Sequence, residues 1–400
     1  MSFPHPLPEL QPSPVTLSDL AGVRASGVAA GIKVSGAPDV ALLVADAPVA
    51  CAGIFTQNKF AAAPVLVSRE HLHQSGGMIR AVVVSSGNAN ACTGDAGLRD
   101  AREMAARVAR GVGCAEHEVL VCSTGVIGHP LPMQKVRAGI DGALAALSSE
   151  PRAGRDFLRA IMTTDAFAKE SGERARALIA GVCKGAGMIQ PDMATMLAFV
   201  ATDARATPSE LAAAMPALAR RSFNAVHVDT HPSTNDTFLL LATGRAQATV
   251  AEIAPDLERV CRRLAWLIAR DGEGATKVTT ISVTGARTDE AARVVAAGIA
   301  ASALVRTALF GNDPNWGRFV SQVGNSPAVM SVEGLRCTLQ GVVVFEHGSP
   351  TAFDRAATSL AMRAEDVSLD IALAEGSGSA ALMTSDLGYR YVEVNAEYTT

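Results

Sequence analysis

The chain has 400 residues, of which 48% are hydrophobic and 18% are charged, so it can bury a large core and is not disordered. Its 35 basic and 39 acidic residues give a formal net charge of −4 at pH 7, and only 4% of its residues are aromatic. Because binders of nucleic acids and of membrane surfaces need a basic field, and base-stacking platforms need aromatic rings, we expect neither kind of partner.

Short apolar runs alternate with Ala-rich stretches from the N-terminus onward. The runs 39–46, 81–87 and 119–122 are bounded by Gly, Ser or Asp and predict buried strands. The stretches 97–112 and 136–147 between them predict helices.

Two further helices are predicted in the middle of the chain. Thr207 is a typical N-cap, because Pro208 follows it and Glu210 lies three residues on. Pro216 is expected to kink this helix. A second apolar stripe, within 257–268, predicts a helix that ends at Asp271.

The last third of the chain is richer in predicted strands, at 277–284, 341–346, 369–374 and 389–397. Consecutive strands favour antiparallel pairing, whereas the interleaved helices favour layers. We therefore expect an α/β fold, a layered sandwich of mixed or antiparallel sheets and helices.

The cysteines and the N-terminal segment indicate the compartment. The seven cysteines are widely spaced and form no C-x-x-C pair, a pattern typical of buried thiols in a reducing cytosol. Residues 1–14 are rich in proline and lack the basic-then-apolar order of a signal peptide. A cytoplasmic, soluble protein without a metal site is expected.

The densest group of chemically active residues lies at 181–204. Lys184 begins a flexible Lys-Gly-Ala-Gly turn, and Thr195 stands between Ala194 and the apolar stretch 196–200. A nucleophile at such a junction can be exposed and strained. Taken alone, however, an Ala-Thr step is the ordinary beginning of a buried strand.

The string KGAGMIQPDMATML, at 184–197, resembles the signature of the ornithine acetyltransferase family, also called the glutamate N-acetyltransferase or bifunctional arginine-biosynthesis family. Other segments along nearly the whole chain resemble the same family in the same order: FTQN at 55–58, SGNANACTG at 86–94, CSTGVIG at 122–128, MTTD at 162–165, STNDT at 233–237, DGEGATK at 271–277, GNDPNWGR at 311–318 and NAEYTT at 395–400.

The resemblance implies the fold of the self-processing Thr-nucleophile enzymes and a precursor that cuts itself between Ala194 and Thr195. The products would be an α chain (1–194) and a β chain (195–400), which assemble as an α2β2 heterotetramer. The freed Thr195 would carry a nucleophilic hydroxyl and, on the same residue, an α-amine with a pKa near 8 that can act as its base.

The implied reaction is ping-pong transfer of the acetyl group of N2-acetyl-L-ornithine to L-glutamate through an acetyl-Thr195 intermediate. Family motifs place the oxyanion hole at Thr124 and Gly125. The substrate contacts carried over by the resemblance are Thr163, Lys184, Thr195, Glu273, Asn395 and Thr400. We hypothesise that Lys184 pairs with a substrate carboxylate and Glu273 with the ornithine ammonium. Thr163 could instead cap a helix that begins near Ala166.

The family implies no cofactor, but acetyl-CoA is a chemically competent alternative donor, and no motif reports whether it is used. The chain departs from the family in one loop, where the usual Asp-Gly-Asp-Thr is replaced by Asp229-Thr230-His231-Pro232. We expect a different turn there and an altered substrate preference. His227 and His231 could suggest a metal site, but Pro232 breaks a helix there and the sequence places no third ligand.

Two other functions remain open at the level of sequence. A self-processing Thr-nucleophile amidase or aminopeptidase of the same architecture would pass the acyl group to water, so it would release acetate. A binding protein that kept the fold would stay uncut, although the presence of Thr195, Thr124, Gly125 and Lys184 counts against it.

Overall fold

The apolar runs form the strands of two mixed sheets in the computed structural model, which describes residues 12–190 and 196–397. The strands are β1 (Val23–Val28), β2 (Val40–Phe55), β3 (Met78–Asn88), β4 (Val119–Val126), β5 (Lys169–Arg174), β6 (Leu178–Lys184), β7 (Leu197–Thr202), β8 (Val226–His227), β9 (Thr237–Ala242), β10 (Val278–Ala286), β11 (Arg336–Leu339), β12 (Val342–Glu346), β13 (Ser349–Pro350), β14 (Asp366–Ala372) and β15 (Gly378–Ser385). The helices are α1 (Ala63–Gln74), α2 (Gly94–Val112), α3 (Met133–Ala145), α4 (Pro151–Ile161), α5 (Pro208–Arg220), α6 (Ala254–Arg270), α7 (Asp289–Ala301), α8 (Ala303–Phe310), α9 (Trp316–Gly324), α10 (Arg355–Ala361) and α11 (Tyr389–Glu397).

The first sheet has the strand order β4-β3-β2-β9-β7-β6-β5, with β1 paired to β2. The pairs β3–β4 and β7–β9 are parallel and the other pairs are antiparallel. The long strand β2 pairs with β1 through residues 40–45, with β3 through residues 40–44 and 49–50, and with β9 through residues 50–55. Between these halves the register shifts and residues 46–48 are exposed. Strand β2 therefore joins two halves of one sheet.

The two halves of the first sheet pack face to face. One buried cluster contains residues from both halves: Leu43, Val82, Leu120, Val182, Phe199 and Leu239. Helices α1, α2 and α3 cover the outer face of one half, and α5 and α6 cover that of the other. The resulting helix–sheet–sheet–helix order confirms the predicted layered α/β sandwich.

Strand β7 shows why its sequence is an unbroken apolar run. Side chains of a strand alternate between its two faces. Leu197 and Phe199 lie in the cluster between the half-sheets, whereas Ala198 and Val200 lie in the cluster under α5 and α6. Both faces are buried, so both must be apolar.

The second sheet has the order β13-β12-β11-β14-β10-β15-β8, with parallel pairs at β10–β14 and β15–β8. Helices α7 and α9 pack on it through Val295, Ile299 and Phe319. Among the described helices, none alone is long and apolar enough to cross a membrane, and α7 with α8 passes that test only as a pair bent by 61°.

The predicted helix start at Thr207 is confirmed. The Thr207 side chain accepts a hydrogen bond from the Glu210 backbone N–H, and the Glu210 carboxylate accepts one from the Thr207 N–H at 2.7 Å. This reciprocal pair satisfies two of the backbone donors that a helix N-terminus leaves free. Helix α5 continues past Pro216 to Arg220.

The strand predicted at 389–397 is wrong, because this segment forms helix α11. Its apolar side chains do not alternate into a core: Tyr389 is 83% exposed and Val392 is 66% exposed. The ring of Tyr389 instead contacts Phe310 edge-on, with the ring centroids 5.7 Å apart.

The predicted α chain (1–194) and β chain (195–400) both contribute strands to the first sheet. Strands β7 and β9, which follow position 195, lie between β2 and β6, which precede it. The second sheet, by contrast, is built entirely from residues after 195. The N-terminal piece therefore has no complete version of the first sheet.

Candidate active site

Thr124 and Gly125 lie near the end of β4, where the strand passes very close to β3. Gly125 has a φ of 132°, and a Cβ at this position would be 2.3 Å from the Gly87 carbonyl carbon. A side chain is therefore excluded by both conformation and space. Glycine at 125 is required for this backbone to form, and its role in an oxyanion hole stays a prediction.

Lys184 lies across from Thr124, on the other half of the first sheet. Leu120 and Cys122 on β4, and Val182 on β6, point into the interlayer core, and strand alternation places Thr124 and Lys184 in the same inward rows. Lys184 is buried, and its Nζ donates to Thr124 Oγ1 at 3.1 Å. Burial lowers the pKa of Lys184, whereas the carboxylates of Asp165, Asp236 and Glu273 oppose that effect.

Three buried charged residues fix the segments on either side of this pair. Asp165 accepts from Lys169 Nζ at 2.5 Å and from the Gly185 N–H at 2.8 Å, and the same ammonium also binds Asp271. The side chains of Asp165 and Lys169 have no exposed surface. The Gly185 bond fastens the turn after Lys184 to this ion cluster, which we call the Asp165–Lys169–Asp271 cluster.

Burial and pairing compete in the ionisation of this cluster. Burial alone would raise the pKa of Asp165, but the ammonium groups of Lys169 and Lys184 hold it well below its usual range. Burial raises the pKa of Asp271 to about 6 against the opposing effect of Lys169. The two carboxylates raise the pKa of Lys169, so the ammonium stays charged despite its burial.

Thr163 belongs to the same region, in a loop between α4 and β5. Its backbone N–H donates to Asp165 Oδ2 at 2.8 Å. No helix begins near Ala166, whose N–H donates to the Asp271 carboxylate at 3.0 Å. The alternative role of Thr163 as a helix cap is therefore wrong.

Glu273 and Asn395 meet at the turn that follows Lys184. The Glu273 N–H donates to the Ala186 carbonyl at 3.0 Å, and Asn395 Nδ2 donates to Glu273 Oε2 at 2.9 Å. A Cβ on Gly187 would lie 2.6 Å from the Glu273 carboxylate, so this glycine makes room for it. The structure thus brings Glu273, Asn395 and the Lys184 turn together.

The departing loop is also fixed to this turn. Asp229 accepts from the N–H groups of Met188 and Ile189 at 2.6 and 2.8 Å. Thr230 has a φ of 64°, the left-handed region that glycine adopts without strain and a β-branched residue adopts rarely. The position where the resembled family has glycine therefore has a glycine-like backbone here, although its residue is threonine.

The structure does not describe three residues of the predicted site: Ala194 and Thr195 at the cleavage bond, and the terminal Thr400. The residue after Thr195 is described: the Met196 N–H donates to Asp236 Oδ1 at 2.8 Å. Among the described residues, the structure brings Thr124, Gly125, Thr163, Lys184, Glu273 and Asn395 into one region, between the ends of β4 and β6 and the turn that follows Lys184.

Sequence reasoning did not assign roles to Asp165, Asp236, Asp271 and Lys169. The three aspartates are the acidic members of motifs already matched, MTTD, STNDT and DGEGATK, so their presence there was an available signal. Lys169 lies in none of these motifs, and no sequence pattern marks it.

A cavity of about 580 Å³ lies elsewhere, lined by residues of α5, α6, α7, β10 and β15. None of the predicted site residues lines it. Across residues 12–190 and 196–397, no group of three or more His, Cys, Asp or Glu side chains is arranged to hold a metal ion. His227 is buried on β8, whereas His231 is exposed.

Residues 24–400 match the family model described as the ArgJ family. An arginine biosynthesis bifunctional protein ArgJ from Geobacter sulfurreducens is 46% identical over 393 residues, which cover 95% of this chain and 99% of that protein. The protein of the same name from Thermus thermophilus is 46% identical over 381 residues, covering 95% and 98%.

Two solved structures are also similar in sequence. The crystal structure of the bifunctional protein argJ from Bacillus halodurans is 35% identical, with a TM-score of 0.49, and covers 50% of this chain and 98% of that one. Ornithine acetyltransferase from Mycobacterium tuberculosis, complexed with ornithine, is 35% identical, with a TM-score of 0.40, and covers 46% and 96%.

Proposed function

The chain belongs to the ArgJ family, and we propose that it transfers the acetyl group of N2-acetyl-L-ornithine to L-glutamate in arginine biosynthesis. The observation that carries this proposal is the bond from Lys184 Nζ to Thr124 Oγ1 at 3.1 Å. This bond joins a predicted oxyanion residue to a predicted substrate residue between the two half-sheets. Leu197, at the start of β7, lies in the core between the same half-sheets. An acetyltransferase needs such a convergence of a cation and an oxyanion site on its nucleophile.

Thr195 acts as the nucleophile in this proposal, after the chain has cut itself between Ala194 and Thr195. The new α-amine takes the proton of its own hydroxyl as Oγ attacks the acetyl carbonyl, and ornithine leaves with that proton. Donors at Thr124 and Gly125 stabilise the tetrahedral oxyanion in each half-reaction, which is worth about 2.7–4 kcal/mol for each donor. Glutamate then attacks acetyl-Thr195, giving N-acetylglutamate and free enzyme.

Opposite charges at the Gly185–Gly187 turn suit the two substrates. The Lys184 ammonium is proposed to bind a substrate carboxylate and the Glu273 carboxylate to bind the ornithine ammonium, with Asn395 orienting Glu273 through its 2.9 Å hydrogen bond. Thr163 and Thr400 complete the proposed set of substrate contacts. Both substrates share the α-carboxylate, so one cation can serve both half-reactions.

Replacing Glu273 by glutamine should raise the KM for acetylornithine at least about tenfold with kcat little changed, because a charge-assisted hydrogen bond of about 1.5–3 kcal/mol is lost. Steady-state kinetics with acetylornithine as the varied substrate measure this effect. Glu252→Gln is the matched control, since Glu252 is exposed and its carboxylate accepts a hydrogen bond from the Thr249 N–H. An unchanged KM in Glu273→Gln would remove the ammonium role.

The decisive assay follows the fate of the acetyl group. Acetylornithine labelled in its acetyl group is incubated with the enzyme and glutamate, and labelled N-acetylglutamate is measured beside free acetate. We expect transfer to glutamate to dominate, whereas acetate alone would indicate an amidase. Repeating the assay with acetyl-CoA and glutamate tests the second activity of a bifunctional enzyme; the proposal requires no other cofactor.

We also propose that the α and β chains remain together as an α2β2 heterotetramer in the cytoplasm. The interleaving of β7 and β9 with β2 and β6 supports continued association of the pieces after the cut. The seven cysteines, all within the described residues, are free thiols, as suits a reducing compartment.

A further inference from the structure

Asp236 is a buried carboxyl next to the predicted cleavage site, and the proposed transfer reaction gives it no role. It has no exposed surface, and its Oδ1 accepts from the Met196 N–H at 2.8 Å. Its other oxygen, Oδ2, has no hydrogen-bond partner among the described residues. An unpaired buried carboxyl oxygen is costly, so it is expected to serve a group that approaches it.

The segment that carries Asp236 is held rigidly. Asn235 Nδ2 donates to the carbonyls of Ala89 and Ser123 at 2.6 and 2.9 Å, and the Thr56 N–H donates to the Asp236 carbonyl at 3.0 Å. These bonds tie the segment to β2 and to β4, one residue before Thr124. The Asp236 carboxyl is therefore fixed relative to the oxyanion strand as well as to Met196.

The hydrogen bond to Met196 places this carboxyl one residue along the chain from Thr195. The nitrogen that Oδ1 binds is bonded directly to the Thr195 carbonyl carbon, and the Thr195 hydroxyl oxygen is four bonds from that nitrogen. Asp236 is therefore bound to the residue that directly follows the predicted nucleophile in the chain. Burial raises the pKa of Asp236 well above its usual range, which makes its carboxylate a stronger proton acceptor than an exposed one.

Self-cleavage needs a proton acceptor that acetyl transfer does not need. In the uncut chain the nitrogen of Thr195 is part of a peptide bond, so the α-amine that serves as the base for transfer does not yet exist. Lys184 is directed to Thr124 Oγ1 as a donor and is unsuited to accept a proton while charged.

We propose that Asp236 is the proton acceptor for self-cleavage, an inference that rests on the proposed function. Asp236 Oδ2 takes the hydroxyl proton as Thr195 Oγ bonds to the Ala194 carbonyl carbon. The bond from that carbon to the Thr195 nitrogen then breaks, and Asp236 returns the proton to this nitrogen, which leaves an ester and a neutral amine. Water hydrolyses the ester and releases the N-terminal piece.

Asp236→Asn is the variant that isolates this role. The asparagine oxygen still accepts from the Met196 N–H, and a buried charge is removed, so we expect the fold to be retained. The full chain is synthesised in a cell-free system, and the conversion of the whole chain to two pieces is followed with time on a denaturing gel. We expect cleavage about 10²- to 10⁴-fold slower than in wild type, with circular dichroism and elution volume matching those of uncut Thr195→Ala.

Two further variants make the result specific. Asp203→Asn is the matched control, because Asp203 Oδ1 also accepts a backbone N–H, that of Leu178 at 2.7 Å, at the far end of the same half-sheet; it should be cut at the wild-type rate. Asp236→Glu restores a carboxyl and should be cut faster than Asp236→Asn, which a role in hydrogen bonding alone does not predict.

The outcomes separate this inference from the proposed function. If Asp236→Asn is cut as fast as wild type while Thr195→Ala stays whole, the role of Asp236 is overturned and the proposed function stands. If Asp236→Asn fails to fold, the cleavage rates of Asp236→Glu and Asp236→Ala are compared instead. Cleavage of Asp236→Glu that is no faster than that of Asp236→Ala overturns the role of Asp236. A wild-type chain that stays whole overturns both.

Discussion

Thr195→Ala is expected to leave one whole chain of 41.2 kDa and to reduce acetyl transfer at least about 10⁴-fold. The change removes the only hydroxyl that can attack the Ala194 carbonyl from the neighbouring residue, and it removes the acetyl acceptor of the first half-reaction. A denaturing gel and mass spectrometry measure the cut, and the labelled acetyl assay measures the transfer. Wild type should give pieces of residues 1–194 and 195–400.

Thr195→Ser is the matched control for this experiment. Serine keeps both the hydroxyl and the α-amine, so it should be cut at the same bond and retain measurable transfer. The scheme would be refuted by a Thr195→Ala chain that is still cut between positions 194 and 195, or by one that transfers acetyl groups at the wild-type rate.

Lys169→Met is expected to lower the free energy of unfolding by about 3–5 kcal/mol, because it leaves Asp165 and Asp271 buried without their shared cation. Such a loss is a large fraction of the stability of a typical protein. Urea unfolding in the Thr195→Ala background measures it, since the chain there stays in one piece and refolds without having to reassemble.

The pH dependence gives this prediction a sign. In the wild type, Asp165 has a folded pKa below its unfolded value, so its contribution to stability is present at neutral pH and is lost only as the pH falls below the unfolded pKa. Asp271 has a folded pKa raised to about 6, so the wild type already gains some stability from this one carboxyl as the pH falls from 7 to 5. In Lys169→Met both carboxyls prefer the protonated form, so acid relieves the buried charges. The stability difference from wild type should therefore shrink between pH 7 and pH 5.

Lys59→Met is the control, because Lys59 is exposed and its replacement should change stability by less than about 0.5 kcal/mol. Two results would contradict a structural role for the buried cluster. One is a decrease in the free energy of unfolding of Lys59→Met as large as that of Lys169→Met, and the other is a Lys169→Met chain as stable as wild type at pH 7.

Patterns local in sequence predicted most elements of the fold. Thr207 with Glu210, for example, contains within four residues all the chemistry that starts α5. The sequence does not predict the C-terminal helix α11, because the segment is short and its apolar side chains are exposed. No buried face therefore repeats at helical spacing. The fold of β2 back over its own sheet was not predictable, since it arises where the pairing with β1 ends at residue 45 and the pairing with β9 begins at residue 50.

The candidate site was predictable where a motif carried it and unpredictable where distant residues pair. Resemblance identified Lys184 and Glu273, and the structure brings both to one turn. Lys169 and Asp271 are 102 residues apart, and no local sequence pattern indicates that they pair. Only the packing of α6 against β5 and β6 shows that the two are partners.

The interleaved first sheet has a genetic consequence. If the chain is cut as proposed, separating the two pieces requires withdrawing β7 and β9 from between β2 and β6, so we expect the pieces of one chain to stay together. A cell that carries two differently damaged copies of the gene is then not expected to recover activity by exchanging pieces between finished molecules.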